Sequence, residues 1–142
     1  MIQQTTTYPW ALLLRADPEK TIIEHYLYDS HCFVLDTIGV IVLKQVAPQT
    51  LEIMNIAVDE AYEQQGYGKQ LLAFAIDYAR THHYSQLDVR TGNSSISQLA
   101  FYQKAGFRIV DIITDYFTTH YDEPIFEHGI QCQDQLKLSI SL

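Results

Sequence analysis

The segment Glu63-Gln64-Gln65-Gly66-Tyr67-Gly68-Lys69 lies between a β-branched run and a helical one. Glycines let a backbone turn sharply and present successive N–H groups. The first turn of the following helix adds unpaired N–H groups and the positive end of a dipole. Together these make a cradle suited to a phosphate or diphosphate. A plain glycine turn before a helix has the same composition, so the spacing alone does not decide. Two phosphate motifs are excluded. Glu63 stands where a Walker A loop needs its first glycine, and Gln70 replaces its hydroxyl residue. Leu71 stands where a dinucleotide fingerprint needs its third glycine.

Other reactive side chains form no such pattern. His82 and His83 are adjacent near a predicted helix end, and His120 and His128 share a loop-rich stretch with Cys132. None of these meets a zinc-ligand spacing, so no metal is expected. His25, His31 and Cys32 read as surface or packing residues. The two cysteines in 142 residues argue against a disulfide framework and fit a reducing, cytoplasmic setting.

The elements that would position the glycine turn are readable from periodicity. Asp17-Pro18 reads as a helix start, with Ile22, Ile23, Tyr26 and Leu27 on one face. A shorter helix over Trp10–Leu14 precedes it, and Met1–Thr7 reads as a tail or short edge strand. Cys32–Asp36, Val40–Gln45 and Leu51–Val58 are strand-like runs forming an antiparallel meander. Leu71, Leu72, Ala75, Ile76 and Ala79 then repeat at helical spacing. Gln86–Arg90 reads as a strand and Ser97–Ala105 as a helix closed by Gly106. Phe107–Ile113 and Gln135–Ile140 are the last strands. The strand–helix–strand passage in the middle implies one parallel pair inside a mostly antiparallel sheet. Length and composition, with 47 % hydrophobic residues, predict one globular domain over residues 1–142.

The formal net charge of −8 disfavours nucleic acid and anionic membrane surfaces and favours cationic partners such as amines. No apolar run approaches the roughly 20 residues of a membrane span.

Three pieces in order resemble the GNAT superfamily of acetyl-CoA-dependent N-acetyltransferases. They are Ile56-Ala57-Val58 ending a strand, the turn from Gln65 to Lys69, and Phe101-Tyr102-Gln103-Lys104-Ala105-Gly106-Phe107. The resemblance implies a mixed α/β (α+β) fold with a mostly antiparallel sheet, a splayed parallel strand pair and helices on both faces. It implies acetyl-CoA as co-substrate. Ile56, Ala57 and Val58 would pair with the pantetheine arm, while Gln64, Gln65, Gly66, Tyr67, Gly68 and Lys69 would hold the diphosphate. Asn93 resembles the family's cofactor-facing asparagine, although Ser95 lies closer to the usual offset. Tyr102 falls where members often carry a tyrosine that protonates the CoA thiolate, a role a neutral phenol with pKa about 10 can fill. Glu52 coincides with the general-base glutamate of the histone-acetylating branch, and its other reading is a solvent-facing strand residue. Asp59 and Glu60 read as solvated turn charges. Tyr26, Tyr28, Asp29 and Glu52 would line an acidic, aromatic pocket for a cation.

Two departures stand out. The first-strand region is short. Glu63 occupies a position where the family usually has Gln or Arg, and an acid there repels a diphosphate. The expectation is that it points outward, or that Gln64 takes its place. The implied function is acetyl transfer to a primary amine of a small molecule or peptide, in a possible homodimer formed through the C-terminal strands. The alternative is a non-catalytic acyl-CoA-binding sensor or interaction module.

Overall fold

The computed structural model describes residues 1–142. The chain forms two compact units, Met1–Leu87 with Leu142 and Asp88–Ser141.

The first unit opens with β1 (Ile2–Gln4), α1 (Trp10–Ala16) and α2 (Lys20–Leu27), followed by β2 (His31–Leu35), β3 (Gly39–Ala47) and β4 (Thr50–Val58). A 3-10 turn (Glu60–Tyr62) leads to α3 (Tyr67–Thr81) and the start of β5 (Gln86–Gly92). Strands β1 to β4 are neighbours in sequence order and pair antiparallel, so the meander is present and extends to β1 at the edge. Gln86 and Leu87 open β5, which follows β4 in the sheet and runs parallel to it, as the crossover through α3 requires.

Alternation along the strands divides the unit into two layers. Cys32, Val40, Val42 and Ala57 face Leu12, Leu13, Ile23, Tyr26 and Leu27 of α1 and α2. On the opposite face Phe33 packs edge-on against Phe74 and Tyr78 of α3. The buried stripe of α3 is Leu71, Leu72, Ala75 and Ala79, as its periodicity predicts, while Ile76, expected with them, is only half-buried at its margin. Gly39 permits the close approach of α3, because a Cβ there would lie 2.9 Å from Leu71 Cδ1 and 3.2 Å from the Ala57 carbonyl.

The register of β3 on β4 contains an irregularity that matters below. Val42 pairs with Asn55 but Leu43 pairs with Ile53, so Met54 is one extra residue in β4. The expected helix start at Asp17-Pro18 is corrected: α2 begins at Lys20. The Asp17 side chain accepts the Glu19 N–H at 3.1 Å, closing a local turn ahead of the helix.

The second unit contains the remainder of β5, then α4 (Ile96–Lys104), β6 (Arg108–Ile113), α5 (Tyr116–His120), β7 (Phe126–Glu127), β8 (Ile130–Gln131) and β9 (Gln135–Ser141). The order is β5-β9-β6, with β6 outermost and antiparallel to β9. Gly106 ends α4 in the left-handed region at φ +105, as its position predicts. The short α5 and the β7–β8 hairpin form in the stretch around His120 and His128 that the sequence presents as loop-rich.

Candidate active site

The cradle is built at the junction of β4 and α3. Asp59 closes the strand by accepting the Ala61 N–H at 2.9 Å, which winds the 3-10 turn. The chain then reverses through two left-handed residues, Gln64 at φ +60 and Gly66 at φ +88. Gly66 is the N-cap of α3. The first bond into the helix runs from the Gln70 N–H to the Gly66 carbonyl at 3.0 Å. The N–H groups of Gln64, Gln65, Gly66, Tyr67, Gly68 and Lys69 therefore find no acceptor within the chain. Residues 61–66 are exposed and Tyr67 and Gly68 half-buried. Donors, exposure and the dipole of a 15-residue helix together suit a diphosphate, so the residues present fit a CoA-type ligand.

Glu63 is directed to α1 and not into this donor array. Its Oε1 accepts from Arg15 Nη2 at 2.5 Å. Arg15 Nε donates to the Val58 carbonyl at 3.0 Å, and Nη1 lies 3.9 Å from Glu60. Arg15 stands beside the cradle, a neighbour that sequence reasoning missed, since nothing at position 15 signals a partner 48 residues away.

On β4, Ile56 and Val58 are half-buried and Ala57 is buried. Glu52 is 6 % exposed, so the solvent-facing reading is corrected. It pairs across the strands with Lys44, whose ammonium reaches Asp29 at 3.6 Å. Asn55 is buried beside the extra residue Met54. Its Nδ2 donates to the Leu13 carbonyl and to the Tyr26 hydroxyl, each at 3.1 Å, while Oδ1 has no hydrogen-bond partner. Burial pushes the Tyr26 phenol up to about 12.

The expected acidic, aromatic pocket is therefore corrected in part. Tyr26 is buried and bonded to Asn55, whereas Tyr28 is exposed and donates to Glu24 at 3.1 Å. Asp29 is engaged by Lys44.

In the second unit, Tyr102 lies on α4 at 3 % exposure with its ring edge-on to Phe107. Burial raises its phenol well above the usual tyrosine value. Its hydroxyl makes no hydrogen bond within the chain. Asn93 follows β5 and is committed to its own unit. Oδ1 accepts from the Gln133 and Asp134 N–H groups at 2.8 and 3.0 Å, and Nδ2 donates to the Gln131 carbonyl at 3.1 Å. One Nδ2 hydrogen remains. Ser95 is also engaged, because its hydroxyl and that of buried Ser94 both donate to Glu127, at 2.9 and 3.0 Å.

The fold and the donor loop define an acyl-CoA-dependent transferase. The Acetyltransferase (GNAT) family pattern matches residues 3–107, and the chain belongs to that family of N-acetyltransferases. The N-acetyltransferase YvbK of Bacillus subtilis, itself uncharacterized, is 46 % identical over 99 % of this chain and 93 % of its own. Among solved structures, an IAA acetyltransferase from Bacillus cereus is similar with a TM-score of 0.96 and 45 % identity, over 100 % of this chain and 99 % of that one. A GNAT acetyltransferase from Elizabethkingia anophelis with acetyl-CoA bound has a TM-score of 0.95 and 42 % identity, over 100 % and 97 %.

Proposed function

We propose that this protein acetylates a primary amine of a small molecule or peptide by direct attack on the thioester of acetyl-CoA. The observation that carries the reading is the run of unengaged N–H groups from Gln64 to Lys69. Acetyl-CoA, when bound, supplies the activated acyl group. Gln64 to Lys69 hold its diphosphate, and the backbone of Ile56, Ala57 and Val58 aligns its arm and polarises the carbonyl. Glu52 takes the ammonium proton, directly or through water, so that a lone pair becomes available. Tyr102 donates its phenolic proton to the departing thiolate. Its raised pKa keeps that proton in place at neutral pH. Asn93 contributes its remaining amide hydrogen to the cofactor.

Both units act as one N-acetyltransferase domain, a reading supported by neighbours that cover the whole chain. No helix is long and apolar enough to cross a membrane. The two cysteines are free, buried thiols, which supports a cytoplasmic setting. The outermost strand β6 exposes Ile109, Val110 and Ile112, which supports a homodimer joined there.

Calorimetry with acetyl-CoA, followed by thiol release across an amine panel, tests the reading. Binding with turnover of at least one amine is expected. Absence of heat and of any thermal shift at millimolar ligand defeats it, and binding without turnover of any amine assigns the non-catalytic alternative.

A further inference from the structure

An acid three residues before Gly66 adds negative charge beside a loop that should receive an anion. What neutralises it comes from another element. Arg15, in the last turn of α1, forms a three-way contact with the Val58 carbonyl, Glu63 and Glu60. Val58 is the last residue of β4, and Glu63 immediately precedes the first unengaged N–H group, that of Gln64. One guanidinium thus ties the end of the strand to the entrance of the cradle. A lysine ammonium lacks the rigid fork to hold a carbonyl with one nitrogen and a carboxylate with another.

We propose that Arg15 is a positioning residue for CoA binding: it neutralises Glu63 and holds that carboxylate toward α1, leaving the cradle to the diphosphate. The inference rests on the CoA-binding reading above. Arg15 touches neither substrate nor cofactor in this role. The pair contributes little to stability, because Arg15 and Glu63 are 37 % and 50 % exposed and solvent screens them. Its effect is on the ligand. Without Arg15, Glu63 is an unpaired charge on a freed side chain next to an incoming dianion, worth about tenfold in affinity at low ionic strength.

The test is a four-protein cycle read by calorimetry with CoA: wild type, Arg15→Ala, Glu63→Gln and the double variant. Arg15→Ala is expected to weaken CoA binding about tenfold at low salt, with a smaller loss at high salt. Glu63→Gln alone is expected to bind as well as wild type or better. The double variant is expected to return to within about twofold of wild type, because the repulsive charge has gone with its partner. A purely structural arginine would give a double variant as weak as Arg15→Ala, and that result overturns the proposal. So does an Arg15→Ala protein within twofold of wild type. If Arg15→Ala melts early, Arg15→Gln replaces it in the same cycle. Failure of wild type to bind CoA sinks the underlying reading. Wild-type binding with four equal affinities sinks only the role of Arg15.

Discussion

The amide nitrogen of Asn55 lies 3.1 Å from the Tyr26 hydroxyl and 3.1 Å from the Leu13 carbonyl, so one buried side chain on β4 fastens both α1 and α2. Asn55→Ala leaves that carbonyl and phenol without their shared donor. A loss of about 2–3 kcal/mol is expected, as for other buried hydrogen-bond anchors. Urea unfolding followed by circular dichroism measures it. A change under about 0.5 kcal/mol would mean that the two bonds hold nothing in place.

Gln64 sits at φ +60, a conformation that glycine adopts without strain. Gln64→Gly is expected to leave stability unchanged or raise it by up to about 1 kcal/mol, with relief of strain partly offset by the freer unfolded chain. Thermal melting distinguishes this from the destabilisation that follows if the Gln64 side chain is itself a prop.

A Cβ at Gly92 would overlap the sulfur of Cys132 and come within 3.4 Å of Phe117 Cε2. Gly92→Ala is expected to cost about 2–3 kcal/mol through overpacking. Removing the sulfur should relieve it, so Gly92→Ala with Cys132→Ala is expected to be more stable than Gly92→Ala alone. Additive losses in the two-variant cycle would show that the clash is not with the thiol.

Stability should fall in alkali. Burial pushes the Cys32 thiol up from 9.0 to about 11 and the Tyr26 phenol up from 10.0 to about 12, and Tyr102 is raised as well. Well below pH 9 these groups are neutral in both states, so they impose no penalty there. Above their unfolded values the unfolded chain loses protons that the folded chain keeps. Each group then removes about 1.4 kcal/mol per pH unit until its folded value is reached. Urea midpoints measured from pH 8 to 11 should fall with increasing steepness. A flat series would show that these side chains are not shielded from water.

The two proton-transfer assignments separate by pH. Tyr102→Phe is expected to slow turnover about 100-fold without shifting the acidic limb of the rate profile. Glu52→Gln is expected to slow it comparably and to remove that limb. An unchanged rate for Tyr102→Phe from pH 6 to 9 would remove the acid. An unaltered profile for Glu52→Gln would remove the base.

Much of this was legible in residue order because the signals are local. The glycine turn, the periodic stripe of α3 and the Gly106 stop each occupy a few consecutive residues, and each forms where the pattern predicts. The miss at Asp17 is also local: a capping residue closed a turn two residues early, and Pro18 offered no means of telling the two apart. The rest was hidden for a different reason. Arg15 finds Glu63 only after one helix, three strands and a 3-10 turn have folded between them. The engagement of Asn93 depends on backbone groups about 40 residues further on. Such contacts have no signature at either end. The extra residue Met54 leaves only a faint trace, because the adjacent apolar pair Ile53-Met54 breaks the alternation of Glu-Ile-Met-Asn-Ile by a single position.

That surplus residue decides where two polar groups point. Along an unbroken strand, residues three apart project to opposite sides. Glu52 pairs with Lys44 and Asn55 with Val42, so the carboxylate and the amide look to the same side of the sheet. Deleting Met54 would restore strict parity and turn one of them around, uncoupling the carboxylate from the amide without changing either residue.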